Sequence, residues 1–371
     1  MRETPTTPPA NRLLGLEALR FAAAFAVLIW HYQHFAHAAG MPADFIKAQL
    51  PFYGVLYPFY QVGNFGVCVF WGISGFIFFW KYRDAISERS IGAWEFFVFR
   101  LSRLYPLHFA TLMMVASLQP IYHHLHGSFF IYSNNDLGNF VLELFMASAW
   151  GLQPAFGFNG AIWSVSTEIL VYAAFFLALR FVTRSVLLNV VVIAACANVT
   201  SPIGFCLTCF YTGGLAAIGR QAMARSQFRL PIEAAAWCAA LAIAVYLGMS
   251  SQQIATPYGI VLLSIFILLF CLSGNVPLPP PWQRLLEAAG SMTYSSYLLQ
   301  FPIQLVIVIA FTILQRPIPL YDELFFTLSV GATLLASFFT YRYFEAPAQA
   351  LIRGYLLSNR RWPLGKAAVA P

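Results

Sequence analysis

The chain has 371 residues, of which 60% are hydrophobic and only 9% charged, and its formal net charge is +7. Ordinary soluble domains carry roughly 25% charged residues, so this composition excludes a typical soluble enzyme, and with it disordered, collagenous and disulfide-framework proteins. It describes an integral membrane protein, all-α because its long continuous apolar runs are unlike the alternating strands of a barrel.

Residues 1–13 read as a flexible cytoplasmic N-terminus, 14–346 as the membrane domain, and 347–371 as a cytoplasmic C-terminal tail. Ten segments have the length and composition of membrane helices: Leu14–Ala36, Val62–Trp80, Leu104–Tyr122, Ala161–Phe181, Val186–Val199, Ile203–Gly219, Ile232–Gly248, Pro257–Ser273, Met292–Leu314 and Leu324–Tyr343. Asn139–Leu152 is apolar but short, flanked by Gly, Asn and Pro, and reads as a re-entrant or interfacial segment. With both termini in the cytoplasm, nineteen of the 21 Lys and Arg residues fall on the inner side, and only Lys47 and Arg316 fall outside. That asymmetry is what the positive-inside rule demands of ten spans. The net positive charge therefore orients the chain and matches anionic lipid; it does not indicate nucleic acid. Phe21–Trp30 with Ala36-His37-Ala38 has the look of a signal peptide, but Glu17 and Arg20 interrupt its apolar run.

Ionisable groups inside a bilayer are costly and mark function. The first span holds Glu17, Arg20 and His31. At about 100° per residue, Arg20 and His31 differ by only about 20° in direction and by about 16 Å along the axis. Arg20 would lie near the inner surface and His31 toward the outer one. At the entry of the third span, Arg100 and Arg103 share a helix face and can grip phosphate, although anchoring at the membrane surface explains them equally. Glu168, in Trp163-Ser164-Val165-Ser166-Thr167-Glu168, sits at a depth similar to that of His31. A carboxylate beside an imidazole makes a general base; a buried structural pair is the alternative.

Other features are weaker. Gly63–Phe79 mixes small residues with aromatics, as close helix packing requires, with Ser74 as a candidate for function. Cys206-x-x-Cys209 reads as small packing residues, and His123-His124-x-His126 as titrating surface histidines. No metal site is expected. Arg342 and Glu345 can pair at i, i+3, or cap the last span ahead of Pro347.

Taken in order, these segments resemble the membrane acyltransferase-3 family, whose members O-acylate cell-surface glycans and related acceptors. Arg12-x-x-x-Leu16-Glu17-Ala18-Leu19-Arg20 with His31 is similar to R-x-x-x-L-D-x-L-R…H. Gly66–Phe76 resembles G-V-x-x-F-F-x-L-S-G-F, Arg100–Pro106 resembles R-x-x-R-L-x-P, and Trp163–Glu168 resembles W-S-L-x-x-E. Ser291–Pro302 is similar to S-Y-x-x-Y-L-x-H-x-P, and Phe344–Pro347 to the closing x-E-x-P. Glu17 replaces the usual Asp, and Gln300 stands where His is common, which makes it a hydrogen-bonding position instead of a base.

The resemblance implies a ten-helix enzyme of a bacterial inner membrane that moves an acyl group, most simply acetyl, from cytoplasmic acyl-CoA to a hydroxyl of an extracytoplasmic glycan or glycolipid. Arg100 and Arg103, with Arg20, would hold the nucleotide phosphates. His31 would be the general base with Glu168 orienting it; Ser74 and Trp163 would line the thioester pocket. Glu17, Arg342 and Glu345 would be structural. Membrane lipid is an expected partner, and a homo-oligomer or glycan-synthesis complex a further one. A transporter or flippase, or a non-catalytic assembly partner, are the rival readings, because intramembrane His, Glu and Arg also build proton relays.

Overall fold

The computed structural model describes residues 13–41, 44–153, 155–224, 226–249, 258–274 and 278–357. All regular structure among them is helical. The first helix, α1 (Leu14–His31), passes through a 3-10 turn, Tyr32–His34, into α2 (Phe35–Ala38). Helix α3 (Tyr53–Val62) leads by the 3-10 turn Gly63–Phe65 into α4 (Gly66–Ser87), and α5 (Ala93–His126) follows. Then come the short α6 (Leu137–Leu144), α7 (Ile162–Leu177) with a π-helical end to Val182, α8 (Val186–Cys196), α9 (Pro202–Met223), α10 (Arg229–Met249) and α11 (Tyr258–Leu272). The chain closes with α12 (Pro280–Ser291), α13 (Thr293–Ile313), α14 (Glu323–Thr340), a π-helical turn Tyr341–Glu345 and α15 (Ala346–Leu357).

Local chemistry sets the starts. Ser185, Ser201 and Asp322 each accept a hydrogen bond from a backbone N–H in the first turn of α8, α9 and α14, and Pro202 takes the first position of α9, where a missing N–H does no harm. A helix lies on each of the ten predicted segments. Among the described residues, six stretches are long and apolar enough to cross a membrane: Leu14–Ala38, Tyr53–Ser87, Ile162–Val182, Pro202–Met223, Thr293–Ile313 and Glu323–Leu357. Helices α8 and α11 are apolar but short. Helix α5 is long but carries Arg100, Arg103 and the buried His108. Large apolar side chains such as Phe181, Leu187, Leu241, Leu328 and Leu335 stand exposed on the outside of the bundle, a surface that suits acyl chains and not water. The chain is a multi-pass membrane protein.

The bundle is tightest where α4 crosses α9. A Cβ on Gly75 would fall on the Phe210 carbonyl, and one on Gly213 on the Gly72 carbonyl. In hydrocarbon such close approach of backbones is the main source of helix association, because no hydrophobic drive separates helix from lipid. Helix α1 lies against α3, α4, α11, α12 and α13.

The chain end differs from the sequence reading. Residues 1–12 and 358–371 lie outside the described residues, but 346–357 form α15, which packs on α5. Pro347 does not stop the helix. It sits just past the π-helical turn, inside a helical stretch that runs on from Glu323 to Leu357. Nor do Arg342 and Glu345 pair. The π-helical turn widens the spacing per turn, so Glu345 turns inward and Arg342 stays exposed over the Tyr343 ring.

Gly75→Leu or Gly213→Leu should destabilise the bundle by at least about 1–3 kcal/mol through overpacking, seen as a lowered Tm in detergent. Gly331→Leu, where nothing lies near the added carbon, should leave Tm unchanged.

Candidate functional site

Two polar centres lie at opposite ends of α1. The first gathers cations from several helices. Arg20 pairs with Glu17 at 2.7 Å, one turn away on α1. Arg100 donates to the Tyr82 hydroxyl at 2.9 Å, and its guanidinium lies over the Phe78 ring at 4.8 Å. Arg353, from α15, donates to Ser102 Oγ at 3.1 Å and to the Phe99 carbonyl at 3.3 Å. Lys81 lies within electrostatic reach of Arg20, Arg100 and Arg103, and Arg353 within reach of Arg100 and Arg103. The bonds of Arg100 and Arg353 go to neutral partners, and Arg100 Nε is buried with no partner. These five cations outnumber the nearby carboxylates of Glu17, Glu168 and Glu345, and the excess of positive charge favours a polyanion. Glu17 supports this cluster, packed under Gly290 of α12.

Between the centres runs a polar seam. Glu168 is buried on α7, hydrogen-bonded by Ser74 of α4 and Tyr172, with Arg100 and Arg103 as its charged neighbours; its Oε1 has no partner. Tyr297 of α13 is within electrostatic reach of Glu168; its hydroxyl lies 2.8 Å from Ser164 Oγ and donates to the Ala161 carbonyl at 2.9 Å. Gln300 is buried, and neither amide atom has a partner, so the expected hydrogen-bonding position is free of the protein's own groups. On α13, Tyr297, Gln300 and Gln304 fall within about 60° of one face and span about 10 Å of its length. Trp163 is edge-on to Trp71 at 5.6 Å, and the Trp71 indole donates to the Ser164 carbonyl at 3.2 Å. Glu345 is buried beneath α13, accepting from Ser295 Oγ at 2.6 Å.

The outer centre is built on the end of α1. His31 Nδ1 lies 2.8 Å from the Val27 carbonyl. An oxygen there can only accept, so Nδ1 carries the proton and Nε2 is left with its lone pair. Val27, not Glu168, orients this imidazole. The direct pair expected from the sequence does not form: Glu168 makes its contacts with Ser74, Tyr172 and the arginines, and His31 with Val27.

His34 joins His31, a residue the sequence reading passed over. Ideal α-helical spacing turns residues three apart by about 60° from one another, but the chain tightens to 3-10 at Tyr32–His34, where residues three apart eclipse. The two rings meet edge to face, 4.8 Å apart. Gln304, Tyr132 and Phe301 complete the chamber. The spacing His31-x-x-His34 was the available signal. Lys81 and Arg353 were visible only as inner-side charges. Among the described residues no cluster of metal-ligating side chains occurs.

Residues 13–342 match the acyltransferase 3 family, described as an acyltransferase domain. The chain belongs to this family. It is also similar to the acyltransferase MdmB of Streptomyces mycarofaciens, 27% identical over 179 residues, 48% of this chain and 42% of the relative. The chain thus spans less than half the length of that curated relative. No solved structure matches.

Glu345→Leu should strand the buried Ser295 hydroxyl and cost about 1–3 kcal/mol, read as a lowered Tm in detergent. Arg342→Ala, on the exposed side of the same turn, should not lower it.

Proposed function

We propose that this family member is an O-acyltransferase with ten membrane spans and both termini in the cytoplasm, carrying an acyl group from acyl-CoA, most simply acetyl-CoA, to a hydroxyl of an extracytoplasmic glycan or glycolipid. The setting is a bacterial inner membrane. The observation that carries the reading is α1 itself. One helix bears Arg20 inside a cation cluster and, about 16 Å further along, His31 with its tautomer fixed for proton acceptance.

The chemistry divides by position. Arg100, Arg103 and Arg20, joined by Lys81 and Arg353, hold the donor's phosphates at the inner surface. The pantetheine arm runs along the seam past Ser74, Glu168 and Gln300, and the unpartnered atoms of the last two suit its amides. Its thioester meets the acceptor beside His31. His31 Nε2 takes the hydroxyl proton as the oxygen attacks the carbonyl, and returns it to the leaving sulfur. Glu168 acts on the donor side of this path, as a hydrogen-bonding group in a water-poor passage. The charge asymmetry of the loops, with nineteen Lys and Arg on one side, supports the orientation.

General-base assistance contributes about 10²–10⁴-fold, so His31→Ala should lower transfer of label from acetyl-CoA by that factor with the protein still in the membrane. Normal turnover in that variant overturns the mechanism. Arg100→Ala and Arg103→Ala should raise KM for acetyl-CoA about tenfold or more, a loss of one charge-assisted contact worth about 1.5–3 kcal/mol. Unmodified glycan accumulating across vesicles, with no label transferred, would identify a carrier instead.

A further inference from the structure

Gln304 fixes the protonation of a second imidazole. Its Nε2 donates to the His31 main-chain carbonyl at 2.9 Å, which settles which end of the amide faces which neighbour. Its Oε1 then lies 3.1 Å from His34 Nδ1, and an amide oxygen can only accept. His34 Nδ1 is therefore the N–H, and His34 Nε2, like His31 Nε2, is a bare lone pair. Both rings are half-buried, and no hydrogen bond from the protein occupies either Nε2 among the described residues. The titratable groups facing His34 are His31 and His37 on its own segment and Tyr132 from the loop before α6; α13 presents only the neutral Gln304 and Phe301.

One acceptor hydroxyl has one hydrogen and needs one base. A second bare nitrogen, on a ring whose centroid lies 4.8 Å from that of His31, has no use for a lone alcohol, but it suits a neighbouring hydroxyl. We propose that the acceptor subsite takes a pair of adjacent hydroxyls, one donating to His31 Nε2 and the other to His34 Nε2, so that the acceptor is a vicinal diol such as a sugar ring presents. This rests on the acyltransferase reading given above. Hydrogen bonds of about 2.8 Å to each nitrogen hold the pair. The hydroxyl on His31 gives its proton to Nε2 as its oxygen forms the new C–O bond. The C–S bond breaks, and the thiolate takes the proton back from His31. The hydroxyl on His34 keeps its proton and only orients the sugar. His34 is thus a substrate-binding residue, and Gln304 a positioning residue.

The test compares cyclohexanol with trans-cyclohexane-1,2-diol as acceptors of radiolabel from acetyl-CoA, using the full-length protein in membranes. The natural chain should favour the diol by tenfold or more in kcat/KM, well beyond the twofold that a second hydroxyl gives by number. His34→Phe should reduce that ratio to about two. His34→Gln, which restores an accepting oxygen, should recover part of it, and Gln304→Leu should lower it part-way. A ratio that stays at the natural value in His34→Phe overturns the proposal, as does an equal fall for both alcohols with no change in ratio. Failure of the natural chain to acylate either alcohol also overturns the diol assignment. Hydrolysis of acetyl-CoA that still requires His31 would show that the catalytic reading survives it.

Discussion

A polar group in hydrocarbon has no water to turn to, so each one inside this bundle must find a partner or be kept for a ligand. The outer end of α1 shows how far that constraint reaches. The carbonyl of Val27 takes the proton of His31, and the Gln304 amide takes that of His34 while closing on the His31 backbone. Each donor is consumed by the protein, and each remaining nitrogen is an acceptor. The chemistry of the chamber follows from hydrogen bonds made by the end of α1 and by one residue of α13.

The same constraint gives meaning to the atoms left over. Glu168 Oε1 and both amide atoms of Gln300 are buried with no partner. A buried unsatisfied polar atom costs about 1–3 kcal/mol; others, such as Asn139 Oδ1, Glu143 Oε2 and Ser148 Oγ, lie in and just after α6. In the proposed reading, those of Glu168 and Gln300 are kept for a polar, narrow substrate arm. Close packing elsewhere, as where Gly75 and Gly213 admit the carbonyls of the facing helix, holds the bundle together. The electrostatic arrangement is consistent with this division. Cations gather near one end of α1, and the histidine centre at the other end is lined by the neutral Gln304 and by aromatic rings.

Much of this was legible beforehand. The apolar segments located the helices because span length is fixed by the bilayer and not by tertiary contacts. Arg20 and His31 could be put on one face of α1 by helical arithmetic alone. The pairing of His31 with Glu168 could not be tested that way. Equal depth says nothing about which helices are neighbours or which partner a carboxylate prefers, and Ser74 and Tyr172 proved the nearer ones. The Arg342–Glu345 pair failed for a local reason, since a single π-helical turn moves residues three apart off a common face.

The sequence by itself determined the membrane class, the position of the main apolar helices and the two ends of α1 at which polar chemistry gathers, because these depend on composition and on one-dimensional periodicity. Only the tertiary structure decided that His34 stands with His31, that Arg353 reaches back from α15 to α5, and that Gln304 sets both imidazoles. Those contacts join residues up to 273 positions apart or depend on a switch from α to 3-10 spacing, and neither leaves a mark in the periodicity of the chain.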